Sequence, residues 1–330
     1  MSCIEISVNE YQNCKDNITQ IASGWNHSIA LKNDGTVITW GSNEFGQYNN
    51  QPTNNGYIAI SAGDNHNVAL KIDGTVDTWG SNDEGQYNVP EDVVLTDIKE
   101  IAVGAYHNLA LKNDNTVITW GSNEDCQYNV PEGIVLSDVK EIAVGMYHNV
   151  ALKNDGTVIT WGDNRFDQYY IPEGVELTNV KAIAAGELHS IALKNDGTVV
   201  TWGNDDVRQC EVPEFELTNI IAIAAGMYHN VALKNDGTVF TWGCNESGQY
   251  NVAEDVVLTD IKEIAAGAEH SLAIKENGSV VIWGNNSNGQ YIVPGNNDFT
   301  DVKAIAAGEY HSIALKNDGT VLTWCDNSES

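Results

Sequence analysis

One string, Gly-x-x-His followed by Ser or Asn, an aliphatic residue, Ala, Leu or Ile, and Lys, occurs eight times along the chain. Its histidines are His27, His66, His107, His148, His189, His229, His270 and His311, spaced 39, 41, 41, 41, 40, 41 and 41 residues apart. Self-similarity at this period means a supersecondary unit that cannot bury its apolar face alone and must pack on copies of itself. Each string is followed by a turn such as Asn33-Asp34-Gly35 and by Thr-Val-x-Thr-Trp-Gly or a variant; after that comes a segment of the Asn-x-x-Gly-Gln-Tyr type, varied between units and absent from the last, usually leading to Val-Pro. The tryptophans Trp40, Trp79, Trp120, Trp161, Trp202, Trp242, Trp283 and Trp324 hold one position in all eight units.

Each unit reads as four short antiparallel strands. In the fifth these are Val180 to Ala185, His189 to Lys194, Thr198 to Trp202, and a short edge segment around Gln209 to Val212 closed by Pro213. The Asp-Gly hairpin between the second and third strands suits a two-residue turn of type I′, because Gly accepts positive φ without a steric cost. Asn115 replaces that Gly once and can adopt the same left-handed conformation. The second strand alternates large and small apolar residues instead of apolar and polar ones, so both faces of the sheet must be covered. Four-stranded sheets covered on both faces and repeated radially make a β-propeller. A linear solenoid would need polar end units, and the first and last units are as apolar as the middle ones.

The expected architecture is therefore an all-β propeller over residues 1–330, with eight blades favoured and seven as the alternative. The last unit stops just after Trp324, and Ser7 to Gln12 resembles the segment Gly41 to Gln47. A strand at about residues 3–16 is thus expected to complete the last blade and close the ring, with the eight repeats running from about 18 to 330. In that arrangement Cys3 or Cys14 lies near Cys325 and could bridge to it. The remaining cysteines, such as Cys126, Cys210 and Cys244, stand as scattered substitutions, not as a disulfide or zinc framework.

Charge excludes several functions. With 46 acidic residues against 16 Lys+Arg, the formal net charge is -30. Such a chain repels nucleic-acid phosphates and anionic membranes. No apolar run approaches the roughly 20 residues of a membrane helix. The first residues lack the basic-then-apolar layout of a signal peptide, so an intracellular location is expected, or packaging in a virus particle if the source is viral.

The strings Ala-Ala-Gly-x-x-His-Ser-x-Ala-Leu, Asp-Gly-x-Val and Trp-Gly-x-Asn-x-x-Gly-Gln resemble the repeat of the regulator-of-chromosome-condensation family. Units with Gln-Tyr-x-Val-Pro are most similar in style to the propellers that inhibit β-lactamases. The resemblance spans essentially the whole chain and implies a propeller that binds proteins. Its members usually have seven blades, so eight units depart from it. It leaves the partner open, because the fold hosts exchange factors, inhibitors and adaptors.

No nucleophile motif, phosphate loop or metal-ligand spacing stands out, so no catalytic residue, cofactor or metal is expected. Equivalent positions spread around a ring cannot converge on a coordination shell of about 2.1 Å. The eight histidines are therefore read as structural, each bonded to the turn between its first and second strands. The tryptophans are read as blade-to-blade packing.

Function is sought where the repeat varies. The two residues between Gly and His give Trp25, Tyr106, Tyr147, Leu188, Tyr228, Glu269 and Tyr310, and the loops after the third strands give Phe45, Phe166 and Asp206. Both loop sets belong at one end of the ring, and the eight hairpin lysines belong at the other. Among the β-lactamase-inhibiting relatives, aromatics in the Gly-x-x-His slot contribute to the binding face. That implies such a role for Trp25, Tyr106, Tyr147, Tyr228 and Tyr310. Aromatic residues and Met are what interface cores enrich for. The expectation is a non-enzymatic interaction module or scaffold that binds a basic or amphipathic protein partner, or a further copy of itself. A guanine-nucleotide exchange factor and a proteinaceous enzyme inhibitor are the alternatives.

Overall fold

The computed structural model describes residues 17–168, 170–213, 217–252, 257–287 and 299–324. They form eight separate three-stranded antiparallel sheets and no helix. Blade 1 comprises Ile18–Ser23, His27–Lys32 and Val37–Gly41. Blade 5 comprises Val180–Ala185, His189–Lys194 and Val199–Gly203. Blade 8 comprises Val302–Ala307, Ser312–Lys316 and Val321–Trp324. The first strand of each is the inner one, next to the axis. The middle strand is buried from its histidine to the residue before its lysine, as expected for a sheet covered on both faces.

Blades pack through a repeated apolar seam. Trp161 of blade 4 joins Leu109, Leu111 and Val117 of blade 3, and Trp202 of blade 5 joins Val150 and Leu152 of blade 4. The same seam unites the ends of the chain, where Trp40 and Ala30 of blade 1 pack on Ile313 and Leu315 of blade 8. Trp40 Nε1 also donates to Thr323 Oγ1 at 3.1 Å. The eight blades thus form a ring in which blade 8 meets blade 1 through the contacts used at the other seams. The expected closing strand at residues 3–16 lies outside the described residues, as do Cys3, Cys14 and Cys325. Cys126, Cys210 and Cys244 are free thiols.

Two expectations are corrected. Blades have three strands among the described residues, not four. The segment after the third strand coils instead of extending: Gly46 N–H bonds Asn43 O, Asn49 N–H bonds Gly46 O, and the Asn43 side chain accepts from Tyr48 N–H. Its Asn49 carbonyl then takes one hydrogen bond from Gly80 of the next blade, so no ladder develops. In blade 5 the segment expected as the fourth strand is held the same way, with Cys210 N–H on Asp205 Oδ1.

The hairpin is also not of type I′. Gly35 N–H bonds Lys32 O and Lys32 N–H bonds Thr36 O, with Gly35 at φ 79 while Asn33 and Asp34 keep negative φ. That is a type I turn followed by a left-handed bulge residue. Asp34 Oδ1 stabilises it by accepting from both the amide (2.9 Å) and the hydroxyl (2.7 Å) of Thr36. Asn115 occupies the bulge position at φ 66.

Candidate partner-binding face

The histidine string positions this end of the ring. Gly145 N–H bonds the carbonyl of His148, which closes the loop between the inner and middle strands. Ring nitrogens reach across the seam instead of back to that turn, which corrects the expected partner. His148 Nε2 lies 2.8 Å from Ser190 Oγ, and His107 Nε2 lies 2.8 Å from Asn149 Oδ1. The Asn orientation is fixed because Asn149 Nδ2 donates to the Gln127 carbonyl at 3.0 Å. His107 Nε2 is therefore the donor. All eight histidines make this bond to the Asn or Ser that follows the next blade's histidine. Burial holds their pKa values at about 3 (His66, His148, His229, His270) or about 4 (His27, His107, His189, His311), so the rings are neutral.

The glycine explains the geometry. A Cβ on Gly145 would come within 2.2 Å of His148 Cε1 and 2.6 Å of the Gly186 carbonyl. The sequence Gly24, Gly63, Gly104, Gly145, Gly186, Gly226, Gly267, Gly308 returns to Gly24 with each glycine facing the next one's carbonyl. This inner circle brings the first variable residue of each loop to the axis. Amide-to-carbonyl bonds link some of these neighbours, Met146 N–H to Glu187 O at 3.1 Å and Glu309 N–H to Trp25 O at 3.3 Å among them.

The two variable positions therefore differ in role. The first lines a central cavity of about 240 Å³ with Trp25, Asp64, Met146, Glu187, Met227 and Glu309. The second holds Tyr106, Tyr147, Leu188, Tyr228, Glu269 and Tyr310, all half-buried around it. The rings of Tyr106 and Tyr147 lie 6.1 Å apart, tilted by 31°. Tyr228 lies beside Glu187 and Tyr310 beside Glu309, and burial together with these carboxylates raises both phenol pKa values. Glu269 accepts from Ser247 Oγ (2.8 Å) and Asn285 Nδ2 (2.6 Å), joining the two loop sets. Phe45 and Phe166 are 50% and 44% exposed on the third-strand loops, and Asp206 is exposed there, accepting from Asn204 Nδ2. Trp25 is thus drawn apart from the other predicted aromatics, toward the axis. The axial position of Asp64, Met146, Glu187, Met227 and Glu309 was not anticipated, although their place directly after the glycine was the available signal.

Electrostatics separate the two ends. Each described lysine lies at the hairpin end, either closing a middle strand or, as with Lys99, Lys140, Lys181, Lys262 and Lys303, opening an inner one. Arg165 and Arg208 are the cations of the loop end among the described residues. Arg165 is bound to Asp125 and, at 2.9 Å, to Asp163. Burial, with Glu309 and Glu187 nearby, lifts the Asp64 pKa to about 7. Burial and the nearby Glu187 and Glu269 lift Glu309 to about 7, against the lowering effect of Tyr310. Burial raises Tyr147 to about 12.

A ring of repeat-encoded blades with variable loops gathered at one end is the architecture of a protein-binding propeller. The chain belongs to the regulator of chromosome condensation (RCC1) repeat family, whose repeat matches residues 18–47, 57–86, 98–127, 139–168, 180–209, 220–249, 261–290 and 302–330. Among solved structures it is similar to human WBSCR16, with a TM-score of 0.60 and 19% identity over 80% of this chain and 88% of that one. It is similar to Prp20p of Saccharomyces cerevisiae, described with its binding to Gsp1p and histones, at a TM-score of 0.56 and 21% identity over 90% and 82% of the two chains. The computationally designed Ika8 protein matches at a TM-score of 0.57 and 19% identity over 94% and 97%. These likenesses show the fold. No curated protein matches the sequence significantly.

Proposed function

We propose that this propeller is a non-enzymatic interaction module that takes a basic or amphipathic protein partner on its loop end. The observation that carries the reading is the contrast between the ends: lysines at the hairpins, half-buried tyrosines among carboxylates at the loops. Aromatic anchors ringed by charge provide the apolar centre and charged rim of a protein interface. The acidic rim would speed encounter with a basic surface more than it would tighten the complex, and salt would slow that encounter. The histone binding described for Prp20p is in keeping with such a partner.

The test replaces Tyr147 and Tyr228 together by Ala and captures partners from the native source. Loss of capture with little change in thermal stability is the expected result. Undiminished capture by the double variant would sink the proposal. Nucleotide exchange is the second reading, favoured by the Gsp1p binding described for Prp20p. Accelerated release of a labelled guanine nucleotide from a small GTPase would establish it.

A further inference from the structure

Three carboxylates meet at the axis with no countercharge. Asp64, Glu187 and Glu309 line the central cavity with Trp25, Met146 and Met227, and no lysine or arginine lines it among the described residues. In the ring order of blades, Asp64 and Glu309 flank Trp25, and Glu187 stands opposite. Asp64 is the most enclosed of the three, with Oδ2 shielded from solvent and bonded to nothing. Glu187 Oε2 and Trp25 Nε1 are likewise buried without a hydrogen-bond partner. Five other indoles share that state with Trp25, but Asp64 Oδ2 and Glu187 Oε2 are the only buried carboxylate oxygens without a partner among the described residues, and both belong to this one cavity. The carboxylates do not gather closely enough to hold a metal ion.

We infer that this axial cavity is a binding site for one organic cation, an ammonium or guanidinium group on an alkyl stem. Such a group has several donors for the carboxylates that line the cavity and a charge to offset theirs, with Trp25 as an aromatic neighbour. Met146 and Met227 supply adaptable apolar contact for the stem. The cavity opens among the tyrosines of the loop end, so an arginine or lysine of a protein docked there would reach it; this assignment of the source rests on the proposed function. The charged and titratable groups facing the site are Asp64, Glu187, Glu269 and Glu309, with Tyr106, Tyr147, Tyr228 and Tyr310 around them. The first and last of these carboxylates are raised toward neutral pH, so the cation should bind more tightly as pH rises through about 7.

Calorimetric titration of the full chain with N-acetyl-arginine-N-methylamide tests the site without any partner. The uncharged citrulline analogue is the shape control, and spermidine represents a free polyamine. The arginine compound should bind and the citrulline compound should not. Asp64→Asn with Glu309→Gln should weaken binding by about tenfold or more, since carboxylate and amide have nearly the same volume but differ in charge. Trp25→Ala gives an independent loss from the opposite chemistry. Equal binding of arginine and citrulline compounds, or unchanged affinity in the carboxylate variant, would overturn the cation site while leaving the Tyr147 and Tyr228 result to stand by itself. Tighter binding of spermidine than of the arginine compound would overturn the assignment to a partner's side chain.

Discussion

His311 Nε2 lies 2.9 Å from Ser28 Oγ, joining residues 283 positions apart across the seam between the last blade and the first. The same bond joins His148 to Ser190 at an ordinary seam, at 2.8 Å. At the closing seam His311 Nε2 also meets Ser23 Oγ at 2.8 Å, and Trp40 adds its bond to Thr323. A ring held in this way gains its last interface from residues that would otherwise be exposed edges, which is how propellers avoid open sheet ends.

Removing the ring nitrogen at either seam should therefore have a similar effect. His311→Ala and His148→Ala each leave a buried serine hydroxyl without its partner and a hole where the ring packed. A loss of about 2–4 kcal/mol is expected for each, from the unpaired group and the cavity together. Urea unfolding of the two variants checks this. A neutral His311→Ala beside a damaging His148→Ala would mean that the ring is open at the seam.

Acidification should unfold the ring from the inside. The eight histidines have folded-state pKa values of about 3 or about 4 because burial disfavours the imidazolium, against an ordinary 6.5. Between those values the unfolded chain binds protons that the folded chain cannot, so stability falls as pH drops from about 6.5 to about 4. Asp64 and Glu309 oppose this, because their raised pKa values near 7 let the folded state keep protons that the unfolded state has released. Their contribution is present at low pH and lost as pH rises toward 7. Burial also raises Glu100, Glu141, Glu187 and Glu263, which act in the same sense as Asp64 and Glu309. The eight fully buried rings outweigh these six less enclosed carboxylates, since every tenfold change in a group's proton affinity on folding is worth about 1.4 kcal/mol. Thermal melts should be nearly level just above pH 7 and fall steeply below about 6. A melting temperature that rises on acidification through that window would contradict the histidine account.

The blade count and the strands were legible because both depend on short-range pattern. A middle strand such as His189–Lys194 is apolar on both faces, and it occurs eight times at steps of 39 to 41 residues. The loop end was legible as a face for the same reason, since antiparallel order fixes which loops share an end. What escaped depended on contacts between units. Whether His148 bonds its own turn or Ser190 is decided by the close approach of neighbouring blades, which no single repeat encodes. The fourth strand failed for a local reason: side-chain bonds such as Asn43 to the Tyr48 amide fold the segment into turns that compete with a ladder. The split between axial Met146 and peripheral Tyr147 follows from the ring geometry and not from their shared variability.

The hairpin bulge offers a test in which two substitutions act in opposite directions. Asn115 holds φ 66 where its counterpart Gly156 holds φ 82. Asn115→Gly removes a side chain from the left-handed region at an exposed turn, so a change between neutral and a gain of up to about 1 kcal/mol is expected. Gly156→Ala puts a Cβ into that region and should cost about 1–2 kcal/mol. Were the turn of type I′, Asp155 would also need positive φ, and Asp155→Gly would stabilise. In the type I turn with a bulge, Asp155 instead accepts from the Thr157 amide and hydroxyl at 2.9 and 2.7 Å. Asp155→Gly should then destabilise, and a stabilised variant would restore the type I′ turn.

The inner circle of glycines makes the sharpest prediction about ring geometry. Gly145 has no positive φ to protect, so alanine is acceptable there on backbone grounds alone. Space forbids it, because the new methyl would lie 2.2 Å from His148 Cε1, 2.5 Å from His148 Nδ1 and 2.6 Å from the Gly186 carbonyl. The imidazole cannot yield without losing Ser190, and the carbonyl belongs to the next blade. Strain therefore passes to the seam, and Gly145→Ala should cost about 3 kcal/mol or more, at the upper end for overpacking. Gly133 is the control: its Cβ would meet nothing within 4 Å, and its cost comes only from φ 85. Gly133→Ala should lose about 1 kcal/mol. Equal stabilities for the two variants would mean that neighbouring blades do not approach closely enough for each glycine to touch the next one's carbonyl, and the eight-membered circle would have to be redrawn.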